Sequence, residues 1–414
     1  MARTLDVYLH HNLVGHLIQD DHGDMVFDYA ESWLSRPNVI ALSNSLPLRA
    51  ERFGRNECRG YFGGILPESD KRDIIARNLG ISSKNDFAML ERIGGECAGA
   101  VTFVAPGEDL PEDQDRYRIL SGSELADILR SLPRRPLMAG ADDVRLSLAG
   151  AQDKIAVRIV GDEISIPLGG APSTHILKPA IERFQSVVFN ESFCMTLAQR
   201  IGLPVAHVET GKVEDIDYLA VKRYDRNFTD AGTLERLHQE DFCQALGIAS
   251  EQKYQNEGGP SLQQSFELVR ETSALPVIDL TTLLDGVLFN FLIGNNDAHG
   301  KNFSLLRTIV SGKATIRLAP FYDLLSTAFY PELSTKMAMK FGGEYDSEKV
   351  VAKHFDRFAQ DANLGKAMVK RRVKEEVEAV ISTLATMPVD RQVADDIASL
   401  IRRRCEKTLV RLGD

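Results

Sequence analysis

Tryptophan occurs once in the 414 residues and cysteine five times, at Cys58, Cys97, Cys194, Cys243 and Cys405. No two of these cysteines stand at metal-ligand spacing. An odd, unpatterned set argues against a disulfide framework and reads as reduced thiols of a cytoplasmic protein. The N-terminus lacks a charged segment followed by an apolar one, and no apolar run approaches the roughly eighteen residues of a membrane span. Neither export nor a membrane crossing is therefore expected. Positive charge is also in deficit, since 49 Lys and Arg against 59 Asp and Glu give a formal charge of −10. That excludes a stand-alone nucleic-acid binder, which needs a basic surface for its phosphate contacts. The basic clusters that do occur, "KRRVK" at 370–374 and "RRRC" at 402–405, sit among acids in helical-looking segments and read as solvated helix faces. Internal repeats and low-complexity tracts are missing as well. What is present is ordinary globular composition, 43% hydrophobic and 26% charged, with length for two or three domains.

Periodicity divides the chain into textures. "TLDVYLHHNLVGHLIQ" alternates around a turn and predicts an opening β-hairpin, while "KRDIIARNLGI" and "NDFAMLERIG" have helical spacing. The stretch "APGEDLPEDQDRYR" (105–118), with five acids, two prolines and a glycine, marks a boundary. After the helix "SELADILRSL" the texture is strand-like: "VRLSL", "KIAVRIV", "EISIPL" and "THILK", then a helix in "SVVFNESFCMTLAQRIG", then strands in "PVAHVETGKV" and "DYLAVKRY". Beyond about residue 235 the pattern is mostly helical, including "HQEDFCQALG", "LTTLLDGVLFNFLIG" and "KAMVKRRVKEEVEAVISTLA". A strand-rich lobe followed by a larger helical lobe is the expected organisation.

One short stretch concentrates chemistry. Directly after the apolar "LLDGVLFNFLI", the residues from Asp297 to Asn302, "DAHGKN", hold a carboxylate, an imidazole, an ammonium and a carboxamide. A phosphate loop of the form GxxxxGK[ST] does not fit. The Gly294–Gly300 spacing is one residue too long, Asn302 stands where the hydroxyl is needed, and a helix rather than a strand precedes. A D-x-x-x-x-N segment fits better. Phosphoryl transfer to an alcohol needs a carboxylate to take the hydroxyl proton and oxygen ligands for magnesium. Alone the spacing is weak, because a helix-terminating loop with capping Asn and Asp produces it too.

"TIRLAPFYDLLS" reads as a strand ending at a second acid, Asp323, about twenty-five residues on, where kinases place a metal-binding aspartate. Capping of the following turn explains that aspartate equally well. Upstream, Ala149, Gly150 and Ala151 in "RLSLAGAQDKIAV" permit close backbone approach to phosphates, though a plain hairpin turn accounts for them as well. Lys178 closes the apolar strand "THILKP", where a lysine is uncommon unless paired or at an edge, and Glu191 on the next helix is offered as its partner. The segment "YLAVKRYDR" falls where two lobes would join, so backbone groups of Lys222 and Tyr224 are candidates to bond adenine.

Together, "LSLAGAQDK", "STHILKP", "NESFCMTLAQRIGLPVA", "VKRYDR", "LHQEDFCQALG", "KYQNEGGP", "GNNDAHGKNFS" and "PFYDLLS" resemble the HipA family of bacterial serine/threonine kinase toxins. "YFGGILPESDKRDIIARNLG" resembles that family's N-terminal subdomain. The resemblance implies an α+β, bilobal, protein-kinase-like fold with an extra N-terminal α/β subdomain (1–108), a strand-rich nucleotide-binding lobe (119–228) and a large helical catalytic lobe (229–414). It implies Asp297 as catalytic base and Asn302 and Asp323 as magnesium ligands. Lys178 would meet the nucleotide phosphates and Lys222 to Tyr224 the adenine. Gln152 and Lys154 of the small-residue turn, with His299 and Lys301 of the catalytic loop, complete the nucleotide-side candidates. His299 either orients Asp297 or bonds a backbone carbonyl, and the structural role is favoured. Ser147 matches the family's autophosphorylation site, and an added dianion on a phosphate-binding loop would repel ATP.

The expected activity is ATP- and magnesium-dependent phosphorylation of protein serine or threonine by the toxin of a toxin–antitoxin pair. Growth would be inhibited through a translation-related substrate, an aminoacyl-tRNA synthetase among those the family implies. DNA would be reached only through a basic, helix-turn-helix, HipB-like antitoxin, and no membrane is involved. A small-molecule or lipid kinase of the same fold is one alternative. A catalytically weak corepressor scaffold is the other. His10, His11, His16 and His22 cluster beside Asp20, Asp21 and Asp24, where a polar hairpin explains them better than a metal does.

Overall fold

In the computed structural model, which describes residues 2–108, 110, 116–181, 184, 186–229, 232–310, 313–388 and 391–413, strands and helices occur in two compact units. The first gathers Met1–Pro179, Gly211–Glu251 and Leu305–Thr315, and the second Ala180–Thr210, Gln252–Ser304 and Ile316–Asp414. The fold is α+β. The acidic boundary at 105–118 lies partly outside the described residues, at 109 and 111–115.

The first unit opens with the expected hairpin. Strands β1 (Arg3–Leu9), β2 (Asn12–Gln19), β3 (Met25–Tyr29) and β4 (Val101–Val104) form a sheet in the order β3-β2-β1-β4. Alternation sends Leu5, Val7 and Leu9 into the core, and β1 pairs antiparallel with β2 through Leu5 and Leu17. The core closes on Phe27, whose ring lies 5.4 Å from that of Phe62 on the helix Arg55–Gly64. A second sheet holds β5 (Tyr117–Ile119), β6 (Ile155–Val160), β7 (Glu163–Pro167), β8 (His175–Pro179), β9 (Val208–Val213) and β10 (Ile216–Lys222), in the order β5-β7-β6-β8-β10-β9. "VRLSL" is not one of its strands. Its alternate residues Val144, Leu146 and Leu148 are buried, but its backbone makes only an isolated bridge, Glu96 to Leu146. "HQEDFCQALG" also departs from expectation. His238–Asp241 is a strand, and only Phe242–Ala245 is helical, started by Asp241, whose Oδ1 accepts from Gln244 N at 2.9 Å.

The second unit contains the helices Val187–Arg200, Leu262–Thr272, Pro276–Ile293, Lys366–Leu384 and Gln392–Leu412. The chain beyond 235 is not as uniformly helical as its periodicity suggests: Ser304–Val310, Lys313–Leu318, Lys336–Phe341 and Glu344–Asp346 are strands. Pro276–Ile293 is 18 residues long and apolar enough to meet the criterion for a membrane span, which corrects the expectation that no run reaches that length. It is a core helix, 61% buried inside the fold. Its two acids are partnered, Asp279 by Arg317 and by Ser273 Oγ at 2.6 Å, and Asp285 by Arg372 Nε at 2.9 Å. Arg372 of the "KRRVK" cluster therefore works as a counter-ion to the apolar helix.

Candidate active site

The polar loop is built outward from the end of the apolar helix. Gly294 caps it in the left-handed region (φ 74°), which favours glycine. Arg404 donates from Nη2 to Phe291 O at 2.9 Å and from Nε to Leu292 O at 3.2 Å. Arg404 adds side-chain donors in this way to two of the last carbonyls of the helix, of which Phe291 O also accepts from Gly294 N at 3.3 Å. Arg404 is thus no solvated residue of "RRRC", and burial holds its guanidinium below the usual arginine range.

Three asparagines then frame the loop. Asn295 accepts from Asp297 N at 3.2 Å and donates through Nδ2 to Asp323 O at 3.2 Å and to Asn290 Oδ1 at 2.8 Å. One carboxamide therefore ties the backbones of both candidate acids together. Asn296 donates from its amide to Thr327 Oγ1 at 2.7 Å, and that hydroxyl donates to Gly294 O at 3.0 Å. Asn190, on the helix Val187–Arg200, clamps Ser326 in both directions, at 2.9 and 2.8 Å. Sequence reading left Asn295 unassigned, although two consecutive asparagines after a helix-ending glycine signal a loop that needs internal hydrogen bonds.

Within the second unit the structure brings Asp297, Asn302 and Asp323 together. Asp297 is exposed, and its Oδ1 accepts from Tyr254 OH at 2.8 Å. Asn302 Nδ2 lies 3.4 Å from Asp323 Oδ2, a long contact that places a carboxamide beside a carboxylate. Asp323 is not the end of a strand, as expected. The strand Lys313–Leu318 stops earlier and Asp323 lies in the following loop with φ 55°. A non-glycine residue held there stores strain of about 1–3 kcal/mol, the kind that clusters at functional sites. The loop is fixed on one side by Phe321, whose backbone pairs with the 204–206 segment, and on the other by Tyr322 OH, which donates to Lys301 O at 2.7 Å. His299 and Lys301 are both buried. His299 donates from its backbone N to Asn302 Oδ1 at 3.2 Å, and its ring stands edge-on to Tyr254 at 5.4 Å. Glu191 is buried on the helix Val187–Arg200 of this unit.

The remaining candidates lie in the first unit. Ser147 is fully buried, donating from Oγ to Ile65 O at 3.0 Å and from N to Glu96 O at 2.9 Å. Ala149, Gly150, Ala151 and Gln152 form the turn after it. Lys154 Nζ donates back to Ala149 O at 2.6 Å, and Gly150 has φ 105° and bridges Pro67. Lys178 is buried on β8 opposite Leu219 of β10. Lys222 ends β10 and is exposed, and the half-buried Tyr224 donates to Gln239 Oε1.

Between Lys222 and Tyr224 the chain is locked by a buried ion network that sequence reading missed. Glu96 Oε1 accepts from Ser173 N at 2.9 Å, Ser173 Oγ at 2.8 Å, Arg223 Nη1 at 3.0 Å and Arg226 Nη2 at 2.9 Å, while Oε2 pairs with Arg236 at 2.9 Å. Asp225 adds an ion pair to Arg223 at 2.7 Å and accepts from Gly99 N at 2.7 Å. Desolvation pushes the Glu96 carboxyl up, but Arg226, Arg236, Arg223 and the Ser173 amide together outweigh it and pull it down to about 2. Near the N-terminus, His16 pairs with Asp6 at 2.8 Å and Asp20 closes a turn. Among the described residues no group of three or more His, Cys, Asp or Glu is poised to hold a metal.

A model of the HipA N-terminal domain matches residues 5–104, and a model of the HipA-like C-terminal domain matches 146–387, more than half of the chain. The chain belongs to the HipA family. A serine/threonine-protein kinase toxin HipA of Shewanella oneidensis is 30% identical, with 98% of this chain and 96% of that protein covered. A putative kinase, Y4mE, of Sinorhizobium fredii is 45% identical over 94% of this chain and 93% of its own length. Among solved structures, the HipA–HipB–operator DNA complex of Shewanella oneidensis contains a chain that superposes with a TM-score of 0.85. It shares 27% identity and covers 99% of this chain and 98% of that one. The family accounts for both units, since the two matched domains span the N-terminal sheet as well as the polar loop at 297–302.

Proposed function

We propose that this chain is an ATP- and magnesium-dependent protein serine/threonine kinase, the toxin of a toxin–antitoxin pair in the cytoplasm. The observation that carries the reading is the gathering of Asp297, Asn302 and Asp323 at one loop pair, with Asp323 held at φ 55°. One carboxylate and one carboxamide offer hard oxygen donors of the kind magnesium takes, leaving its other positions to phosphate and water. A bound magnesium would neutralise charge on the transferring phosphate. The exposed carboxylate of Asp297 accepts the proton of the acceptor hydroxyl. As that oxygen bonds to the γ-phosphorus, the bond from phosphorus to the bridging oxygen breaks and ADP leaves. Lys178 and the Lys222–Tyr224 segment are the proposed groups for the nucleotide phosphates and adenine.

Ser147 is the proposed autophosphorylation site. Its burial against Ile65 O means that the 147–152 turn must leave its seat before modification, and a dianion in place of the hydroxyl would bar its return. The acidic chain reaches DNA only through a basic, helix-turn-helix, HipB-like partner; its own negative charge and the occurrence of a HipA, a HipB and operator DNA in one complex of the Shewanella protein support this reading.

Transfer of radiolabelled phosphate from ATP to protein serine, measured against small alcohols as acceptors, tests the reading. Asp297→Asn should lower transfer by about a hundredfold or more, and omission of magnesium should abolish it. Label on small alcohols alone would make the chain a small-molecule kinase. Equal label on wild type and Asp297→Asn would remove Asp297 from the chemistry, and label on neither would leave a corepressor scaffold.

A further inference from the structure

The stretch "KYQNEGGP" has no part in the assignments above, yet it reaches the reacting carboxylate. Tyr254 OH donates to Asp297 Oδ1 at 2.8 Å while its ring stands edge-on to His299, with centroids 5.4 Å apart. The turn that presents Tyr254 is anchored at several points. Gly259 N donates to Tyr254 O at 2.9 Å, and the short helix Gln255–Glu257 follows. Gln255 Oε1 accepts from Lys340 N at 2.7 Å on the strand Lys336–Phe341. That strand holds the catalytic loop in turn, through Ala338 N to Asn296 O at 2.7 Å. A closed circuit thus runs from Asp297 through Tyr254, Gln255 and Lys340 to Ala338, Asn296 and back to Asp297, made of three hydrogen bonds joined by short stretches of backbone.

We propose that Tyr254 is a positioning residue for the proton acceptor: its hydroxyl fixes Oδ1 of Asp297, so that Oδ2 is the oxygen presented to the acceptor hydroxyl. The inference rests on the kinase reading and deepens it. A carboxylate on an exposed loop rotates about its last bond, and a transfer that depends on placement loses rate when the acceptor atom wanders. One donated hydrogen bond removes that freedom, and because it is made to the charged form it also favours the ionised state in which Asp297 can take a proton. The ionisable groups on the elements packed here are Lys253, Tyr254 and Glu257 on the turn, His299 and Lys301 on the loop, Tyr322 and Asp323 opposite, and Lys336 and Lys340 on the strand.

Tyr254→Phe keeps the ring and removes only the hydroxyl. Two measurements on the full chain test the proposal: kcat and KM for ATP and a protein acceptor, and the titration of the Asp297 carboxyl carbon, followed by NMR after selective labelling and assigned with Asp297→Asn. The expected result is a fall in kcat of about tenfold with KM for ATP unchanged, and a carboxyl titration moved up by about half a unit to one unit. An unchanged titration overturns the proposal. So does an unchanged or raised kcat with a lowered KM for the acceptor, since that would make Tyr254 an occupant of the acceptor's place. If wild type transfers no phosphate, the kinase reading falls, and the titration alone then decides whether Tyr254 holds the carboxylate.

Discussion

Replacing Glu96 by glutamine tests the account of the buried network most directly. At about 1.4 kcal/mol for each pH decade between folded and unfolded titration, the depression from 4.5 to about 2 stabilises the native state by about 3 kcal/mol at neutral pH. A second route gives a similar figure. Glutamine fills the space but removes the charge, leaving Arg223 and Arg226 with the carboxylate of Asp225 and Arg236 without the ion pair it makes to Glu96, and breaking a buried pair from one side costs about 3–5 kcal/mol. For a unit of this size, that corresponds to a fall in Tm of about 10 °C. The sole tryptophan, Trp33, is buried in the first unit with its indole N–H on Ile40 O, so its fluorescence in a urea titration reports that unit alone. The pH dependence has a definite sign. The folded carboxyl titrates below the unfolded one, so the stabilisation is fully present above about pH 4.5 and is lost as pH falls towards 2. The gap between wild type and Glu96→Gln should therefore close on acidification. A gap below about 1 kcal/mol at pH 7, or one that widens in acid, would refute the reasoning.

Glu376 predicts the opposite behaviour: it is buried with neither carboxyl oxygen bonded, and desolvation, reinforced by Asp285, pushes it well above the ordinary carboxyl range. Its unfolded form ionises first, so wild type should lose up to about 1.4 kcal/mol per pH unit above the ordinary range. Glu376→Gln, already neutral, should be at least as stable at pH 7, with calorimetric curves converging in acid. Arg404→Lys keeps the charge but not the planar fork that reaches both Phe291 O and Leu292 O. A loss of about 1–2 kcal/mol is expected by calorimetry, with phosphate transfer reduced more than stability accounts for.

What the sequence made legible is what short-range pattern encodes. The hairpin β1–β2 and the helix Pro276–Ile293 were readable because burial follows period two in one and a capped apolar run in the other. "VRLSL" misled because alternation reports which side chains are buried and not whether the backbone has a neighbour to pair with. Val144, Leu146 and Leu148 face the core from a segment whose only bridge is to Glu96. "HQEDFCQALG" misled although Asp241 and Gln244 form a readable capping box, because the helical spacing was extended backwards past the cap. The Glu96 network was out of reach for another reason. Its partners come from distant parts of the chain, and three arginines and two acids in isolation look like solvated surface.

The polar loop at the end of an apolar helix poses a physical problem that the asparagines answer. A loop that must hold Asp297 and Asp323 close together needs an acceptor for Asp297 N and a donor for Asp323 O, and lysine or arginine in that role would offer donors alone and pair with the carboxylates. Asn295 instead donates to Asp323 O and accepts from Asp297 N without carrying charge, and Asn190 does the same for Ser326. Carboxamides do not titrate, so the frame itself carries no charge that pH can change. Arg404, brought to the helix end, donates to Phe291 O and Leu292 O. Neutral carboxamides thus hold the backbones of both acids. Asn295→Asp, which adds a carboxylate and removes the donor to Asp323 O, should disturb the loop more than any loss of volume would, because Asn and Asp are nearly isosteric.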